Sequence, residues 1–270
     1  MAANQKQKIN PIWKIASPIP QTVEDNLAEF NPVMRQLLFN RGITTAADAE
    51  NYLFPKIDYT HNSLLLKDIE TAIGRLEYAI QHNQRIAIYG DYDVDGVTAT
   101  AILSDYLTKH NADVICHIPN RFEEGYGVRS EAIEILKDQE VKLIITVDCG
   151  IRSVAEAEYA KSLGIDMIIT DHHQPLKELP NVIAIINPKQ PNDIYPFKDL
   201  AGVGVAYKFI QAYHQLFPLS HAKPEDYLDL VALGTIADMV PLMGENRILA
   251  RIGLDRLRAT HRPGIRALIS

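Results

Sequence analysis

Apolar residues in the first 80 positions follow the spacing of short helices. They recur every three or four positions from 69 to 81, which predicts a helix there. Asn31-Pro32 is typical of a helix start and Gly42 of a helix end, so a short helix is expected between them. A second one is expected to begin near Thr44. We therefore predict a helical N-terminal segment over residues 1–80.

From residue 85 the pattern changes to short, continuous apolar runs that alternate with helical stretches. The runs at 85–89, 113–119, 142–148, 166–171 and 182–186 predict strands, and stretches between them predict helices. Continuous apolar strands separated by helices are typical of a parallel β-sheet with helices on both faces, so the predicted fold class is α/β. We assign residues 81–244 to this domain.

After Gly202 the pattern becomes mainly helical, with predicted helices at 205–217, 225–238 and 246–259. Residues 245–270 are expected to begin a linker helix toward a further domain, so the sequence is interpreted as part of a longer protein.

The composition of the 270 residues, 47% hydrophobic and 23% charged, is that of a globular protein. The sequence contains neither a run of about 18 apolar residues nor an N-terminal hydrophobic signal, so we expect a cytoplasmic protein without a membrane span. Two cysteines are too few for a disulfide framework or a four-cysteine zinc site. A net charge of −7 excludes a uniformly basic nucleic-acid binder, but six arginines after position 245 leave room for a local basic patch.

Three carboxylates, Asp91, Asp93 and Asp95, follow the first predicted strand within five residues. Their mutual repulsion is costly unless cations or solvent compensate it, so either a metal site or a solvated acidic turn fits. A calcium loop of the EF-hand type is excluded, because Ile102 stands where that loop needs a chelating Glu.

Further acids and imidazoles end two other strands: Asp148 follows one, and Asp171, His172 and His173 follow the next. The carboxyl ends of parallel strands meet at one edge of a sheet, so these side chains are expected to converge with the first cluster. Taken singly, such an Asp is more often a helix cap, and such a His pair a surface loop. Asp238 lies in an apolar helical stretch, where a cap, a buried pair or a metal ligand would explain it.

The chemistry of these donors favours Mn²⁺ or Mg²⁺ over a structural zinc ion, since oxygen ligands dominate and no thiolate is needed. The number of carboxylates exceeds what one ion needs, so we predict a two-metal site of the kind that hydrolyses phosphate esters.

The ordered motifs DYDVDG (91–96), VDCG (147–150), TDHH (170–173) and GTIADMVPL (234–242) resemble those of the DHH phosphoesterase superfamily. Flanking stretches such as LLFNRGI and IPNRFEEGYGVRSEAI resemble its bacterial single-strand-specific exonucleases, from about residue 30 onward. The resemblance implies 5′→3′ hydrolysis of single-stranded DNA in recombination and repair, with helicase and single-strand-binding protein as partners. Such exonucleases also carry a C-terminal substrate-binding domain and an OB-fold.

The resemblance also implies roles for individual residues. It assigns one ion to Asp93 and Asp148, and a second ion to Asp95, Asp148, His172 and Asp238. Asp91 and His173 are the implied catalytic residues: Asp91 assists the first ion or its water, and His173 either supports a metal ligand from behind or contacts the scissile phosphate. Tyr89 stands where the pyrophosphatases of this superfamily carry a His ligand, which argues against pyrophosphatase activity.

Substrate contacts are expected from positively charged, aromatic and glycine residues near the strand ends. Arg121 fits a phosphate contact and Tyr126 a base contact, with a solvated turn as the alternative for both. Arg152 fits either a contact with the leaving phosphate or a surface position. Gly202 and Gly204 open a helix whose N-terminus is expected to bind an anion. Two alternatives remain open: an enzyme for short oligonucleotides or cyclic dinucleotides, and an inactive DNA-binding homologue.

Overall fold

The computed structural model describes residues 13–123, 125 and 127–270, so Tyr126, a predicted substrate contact, lies outside the described residues. The chain divides into two compact units, Met1–Phe54 and Pro55–Ser270. Within the described part, no helix is both long and apolar enough to span a membrane.

The described part of the first unit, residues 13–54, contains three short helices: α1 (Gln21–Asn26), α2 (Pro32–Phe39) and α3 (Ala46–Leu53). The Asn31 side chain caps α2 by accepting a hydrogen bond from the Met34 N–H, and the Thr45 side chain caps α3 in the same way. These caps place the helix starts where the Asn-Pro and Thr-Thr pairs predict them.

The second unit is built on a five-stranded sheet in the order β2-β1-β3-β4-β5, and every pairing is parallel. The strands are β1 (Arg85–Tyr89), β2 (Val114–His117), β3 (Val141–Val147), β4 (Asp166–Thr170) and β5 (Ala184–Ile186). The helices are α4 (Ile69–Gln81), α5 (Val94–Lys109), α6 (Ser130–Asp138), α7 (Val154–Ser162), α8 (Gly202–Leu216), α9 (Leu228–Ala237), α10 (Gly244–Arg258) and α11 (Pro263–Ile269). The predicted α/β class is confirmed.

Helices cover both faces of the sheet because successive residues of a strand point to opposite sides. Ile86 and Ile88 of β1 belong to one core, which α4, α5 and α8 complete. Ala87 and Tyr89 of the same strand belong to a second core, which α6 and α7 complete.

The boundary between the units lies after Phe54, whereas the sequence predicted one near residue 80. The difference arises because the apolar stripe of α4 packs into the same core as the strands. The start of the predicted linker is also part of this unit, since α10 buries Ile248 and Leu249.

Candidate metal centre

The candidate site lies where the chain leaves the carboxyl ends of β1, β3 and β4. The connection after β1 leads to β2 on one side, and the next connection crosses to β3 on the other side. In open α/β sheets, ligands bind at such a reversal of strand order. Asp91 follows β1 and Asp148 follows β3, so the two carboxylates flank the reversal.

The turn between β1 and α5 carries three carboxylates in different environments. Asp91 is buried and accepts a hydrogen bond from the Tyr92 N–H at 2.7 Å. Asp93 is exposed and caps α5 by accepting from the Gly96 N–H at 3.0 Å. Asp95 is buried in the first turn of α5. Two of the three acids are therefore withdrawn from water, which excludes a merely solvated acidic turn.

The buried Asp95 carboxylate closes the N-terminus of α8. It accepts hydrogen bonds from the Gly202 N–H at 2.6 Å and the Val203 N–H at 2.8 Å. A helix N-terminus stabilises an anion through its free N–H groups and its dipole. The anion here is the chain's own carboxylate, which engages the N–H groups of Gly202 and Val203. Substrate binding by Gly202 and Gly204 stays a prediction.

Both glycines have a packing role. A Cβ on Gly202 would lie 2.5 Å from Oδ1 of Asp148, and one on Gly204 would lie 3.3 Å from the Leu200 side chain. Gly202 is therefore required for the close approach of α8 to the carboxylates.

Asp148 has an unusual backbone conformation directly after β3. Its φ is 61°, in the left-handed region, and Gly150 two residues later has a φ of 103°. A left-handed residue other than glycine is strained, although Asp tolerates this region better than most residues. The Asp148 N–H donates to the Thr170 carbonyl at 3.0 Å, which ties this turn to the end of β4.

The segment after β4 is organised around the buried Asp171 carboxylate. Its Oδ1 accepts hydrogen bonds from the backbone N–H groups of His172 and His173, and its Oδ2 accepts from the Ile151 N–H at 3.0 Å. Oδ1 is also 2.7 Å from Nδ1 of the His173 ring. Asp171 thus fixes both the turn and the orientation of that imidazole.

The His172 ring lies at the centre of the acidic cluster. Its Nε2 is 3.1 Å from Oδ1 of Asp148, 3.7 Å from Oδ2 of Asp238 and 3.8 Å from Oδ2 of Asp95. Asp238 reaches this position from the C-terminal end of α9 and is partly exposed. The predicted convergence of these four residues is therefore observed in the structure.

Burial and mutual repulsion raise the pKa values of several carboxylates. Burial and then the neighbouring charges of Asp171 and Asp93 raise the pKa of Asp148 to about 9. Burial, followed by repulsion from Asp148, holds the pKa of Asp95 well above its usual range, and burial also raises the pKa values of Asp91 and Asp238. Four acids in this state are unfavourable as bare anions and would be stabilised by bound cations.

Asp171 and His173 show the opposite behaviour as a hydrogen-bonded pair. Burial opposes ionisation of Asp171, but hydrogen bonds and the charge from His173 outweigh it, and the pKa of Asp171 is lowered. The hydrogen bond to Asp171 in turn raises the pKa of His173. The pair therefore favours a protonated imidazole beside the acidic cluster.

The donor atoms of the cluster fit divalent cations. Within 4.8 Å of one another lie donor atoms of three groups: Asp91, Asp93 and Asp148; Asp95, His172 and Asp238; and Asp148, His172 and His173. Oδ1 of Asp148 and both ring nitrogens of His172 are buried and make no hydrogen bond. Neighbouring ligands of an octahedral Mg²⁺ ion lie ~3 Å apart, because the metal–oxygen distance is about 2.1 Å. The 3.1 Å between His172 and Asp148 matches that spacing.

The two predicted arginines differ in their relation to the cluster. The Arg121 guanidinium lies 5.3 Å from the centre of the Tyr92 ring, and Tyr92 adjoins Asp91 in sequence. Arg152 is exposed and donates to the Gln174 carbonyl at 3.2 Å, and no described contact joins it to the carboxylates. Arg121 is therefore the better placed of the two to meet a ligand.

Sequence reasoning missed Gly234, which lets α9 approach the cluster. A Cβ there would lie 2.3 Å from Oγ1 of Thr98, 2.8 Å from the Val203 side chain and 3.1 Å from Oδ1 of Asp95. A glycine inside an apolar helical stretch costs about 1 kcal/mol relative to alanine, and that cost was the available indication of a packing role.

A parallel sheet with carboxylates and imidazoles gathered at one edge defines an α/β protein equipped to bind divalent cations. The profile of the DHH family, N-terminal domain, matches residues 85–235, and the chain belongs to this family.

Named relatives narrow the comparison further. The chain is 46% identical over 259 residues to the single-stranded-DNA-specific exonuclease RecJ of Bacillus subtilis (strain 168), covering 95% of this chain and 32% of that protein. It is 40% identical over 255 residues to RecJ of Escherichia coli (strain K12), covering 90% and 43%. The chain thus spans less than half the length of these relatives.

Solved structures agree with these sequence relatives. Exonuclease RecJ bound to manganese has a TM-score of 0.69 at 41% identity, covering 75% of this chain and 51% of that one. RecJ from Thermus thermophilus in complex with Mn²⁺ has a TM-score of 0.78 at 34% identity, covering 95% and 36%. The similarity to the single-strand-specific exonucleases of the DHH family is thereby confirmed.

Proposed function

We propose that this chain carries the catalytic centre of a metal-dependent exonuclease that hydrolyses single-stranded DNA from the 5′ end. The observation that carries the proposal is the buried His172 ring, surrounded by three carboxylates with its two nitrogens unpartnered. A buried polar atom without a partner is costly, and a divalent cation would satisfy it. The similarity to RecJ over 95% of the chain supports single-stranded DNA as the substrate.

In this proposal Asp93 and Asp148 would hold one divalent ion, Mn²⁺ or Mg²⁺, and Asp95, Asp148, His172 and Asp238 would hold a second. The proximity of their donor atoms supports both sets. When bound, such ions lower the pKa of water and offset the charge that develops on a phosphate ester.

The chain's own residues complete the proposed chemistry. One carboxylate oxygen of Asp91 accepts a hydrogen bond from the Tyr92 N–H, and the other oxygen orients the attacking water. His173 holds a proton on Nδ1 against Asp171, and its protonated ring stabilises the scissile phosphate through Nε2. Arg121, stacked on Tyr92 beside Asp91, contacts the backbone of the strand.

We further propose that the protein acts in the cytoplasm in recombination and repair, beside a helicase and a single-strand-binding protein. The relatives extend well beyond the matched part, since the match covers only 32% of the Bacillus subtilis protein. A substrate-binding domain and an OB-fold would supply the opposite wall of the strand groove. Arg152 and Tyr126 stay predicted substrate contacts.

The deciding experiment compares four substrates with the purified protein: 5′-labelled single strand, duplex, pyrophosphate and a cyclic dinucleotide, each with Mn²⁺, Mg²⁺ or EDTA. We expect mononucleotides from the single strand, with either ion and not with EDTA. Faster turnover of the cyclic dinucleotide would indicate an enzyme for small substrates. Binding of single strand without hydrolysis would indicate an inactive homologue, and either result would contradict the proposal.

A further inference from the structure

Lys189 lies at the same edge of the sheet as the metal centre, in the loop after β5. The parallel register pairs Thr170 of β4 with Ile186 of β5, and the Asp171 N–H donates to the Ile186 carbonyl at 3.1 Å. The residues after Ile186 therefore run beside the segment that carries His172 and His173.

A buried asparagine ties Lys189 to that segment. The Asn187 side-chain amide donates to the His173 carbonyl at 2.9 Å, and its Oδ1 accepts from the Lys189 N–H at 2.8 Å. Asn187 itself is fully buried. The backbone of Lys189 is thus held at a fixed place relative to the imidazoles.

The Lys189 side chain is half-buried, and among the described residues its ammonium forms no ion pair or hydrogen bond. Two other lysines of this half of the chain are engaged: Lys198 with Asp193 and Lys208 with Glu245, each at 2.8 Å. Burial raises the pKa of Asp238, and the positive charge of Lys189 is one of the smaller influences that oppose this rise. The charge of Lys189 is therefore felt at the metal centre.

An unpaired ammonium at this position would offset the repulsion between the acidic site and the phosphates of a nucleic acid. The edge of the sheet gathers carboxylates, and the whole chain has a net charge of −7, so a phosphodiester backbone is repelled as it approaches. Phosphate contacts from Lys and Arg dominate the affinity of proteins for nucleic acids. Lys189 is suited to such a contact, because its backbone is held in place and its ammonium need not break an existing ion pair to bind a phosphate.

We propose that Lys189 is a substrate-binding residue whose ammonium contacts a phosphate of the single strand next to the metal centre. This inference rests on the proposed function and adds a contact on the β5 side, opposite Arg121 on the β2 side of the sheet.

The test compares Lys189→Gln and Lys189→Arg with the control Lys161→Gln. Lys161 lies in the last turn of α7 and is exposed. Because α7 returns from the site edge of the sheet, its last turn lies at the opposite edge, and the control makes the same change in charge away from the site. Steady-state kinetics on a 5′-phosphorylated oligonucleotide give KM and kcat, and calorimetry with MnCl₂ gives the metal affinity.

We expect Lys189→Gln to raise KM roughly tenfold, as for loss of a hydrogen bond to a charged group, with a smaller change in kcat. The slope of log affinity against log salt should fall by about one unit. Lys189→Arg should retain most of the affinity, Lys161→Gln should behave as the unmodified protein, and Mn²⁺ affinity should not fall.

A binding measurement separates this inference from the proposed function. Fluorescence anisotropy of a labelled oligonucleotide in CaCl₂ measures strand affinity without turnover. Absence of cleavage by the unmodified protein would contradict the proposed function, whereas the anisotropy titration still tests Lys189. An unchanged affinity and salt slope in Lys189→Gln would overturn the inference, as would a fall in Mn²⁺ affinity as large as the fall in strand affinity.

Discussion

The carboxylate of Asp95 accepts a 2.6 Å hydrogen bond from the backbone N–H of Gly202, at the first turn of α8. One of the buried acids is therefore compensated by a helix N-terminus, independently of any cation. Asp171 accepts three backbone N–H bonds, whereas Oδ1 of Asp148 is buried and makes no hydrogen bond, so Asp148 has the greater need of a bound cation.

Metal-free protein should lose stability as the pH rises. The pKa of Asp148 is raised from 3.8 to about 9 in the folded state, so its contribution is fully present below pH ~4 and is lost as the pH rises toward 9. The raised pKa values of Asp91, Asp95, Asp238 and His173 act in the same direction. The lowered pKa of Asp171 acts oppositely, but only at acidic pH.

Thermal unfolding in EDTA and in MgCl₂ at pH 5.5 and pH 8.5 measures this effect. We expect the increase in Tm on adding MgCl₂ to be larger at pH 8.5, because the ionised carboxylates then bind the cation and are relieved by it. An equal increase at both values would contradict the assignment of these acids as ligands.

Asp148→Asn should abolish turnover and raise the stability of the metal-free protein at neutral pH. The raised pKa of Asp148 means that this carboxyl must take up a proton on folding at neutral pH, a cost that the neutral amide avoids. Asn also tolerates the left-handed φ of 61°. Asp148→Ala should also be inactive but should gain less stability, since Ala in that conformation costs about 1–2 kcal/mol. Urea unfolding in EDTA and the nuclease assay test both, and near-normal hydrolysis by either variant would refute the bridging role.

His172→Ala and His173→Ala should have different effects. The His172 ring is surrounded by carboxylates, so its loss should lower metal affinity about tenfold or more. The His173 ring is held by Asp171, so its loss should lower the rate more than the affinity. Calorimetric Mn²⁺ titrations and single-turnover rates separate the two effects, and equal losses of affinity would contradict the assignment.

Gly234→Ala should destabilise the protein and weaken metal binding. The added Cβ would meet Thr98 and Val203 and press toward Asp95, so α9 must move away from α5. Gly74→Ala in α4 is the matched control: no atom lies within 4 Å of the added Cβ, and we expect a gain of about 0.5–1 kcal/mol. Urea unfolding and Mn²⁺ titration of both variants test this. Equal stabilities and equal Mn²⁺ affinities of the two variants would show that the close approach of α9 to the cluster does not matter.

Tyr89→Phe should weaken strand binding without altering the metal centre. The buried Tyr89 hydroxyl donates to the Gly127 carbonyl at 3.2 Å and so anchors the loop that carries Arg121. Losing that anchor should raise KM several-fold, because the position of Arg121 is less fixed, while kcat and Mn²⁺ affinity hold. A fall in Mn²⁺ affinity would show instead that Tyr89 supports the ions.

The parts of the fold that follow local patterns were predictable. The prediction for β1 coincides with Arg85–Tyr89, since a continuous apolar run ends at a glycine. Helix α5 begins at Val94, because Asp93 acts as its cap while also belonging to the acidic cluster. Chemistry and capping use the same residue there, and a hydrophobic pattern detects neither.

The parts of the site that depend on tertiary approach were not predictable. Gly202 opens a helix as expected, yet its N–H meets Asp95, far away in the sequence, and no local pattern reveals that partner. Lys189 resembles any loop lysine until Asn187 is seen to join its backbone to His173. A sequence shows which charged residues exist, but only the tertiary structure shows which of them form ion pairs and which do not.

The residues of the acidic cluster lie far apart in the sequence, which affects the order in which the site forms during synthesis. A ribosome delivers the DYDVDG turn first, while α8 and the end of α9 are still to be made. Nascent chains therefore carry Asp91, Asp93 and Asp95 before the Gly202 N–H is available to donate to Asp95 and before Asp238 joins the cluster. The proposed set of Asp95, Asp148, His172 and Asp238 is therefore complete only after α9 has been made, so the two proposed ions become bindable at different stages of synthesis.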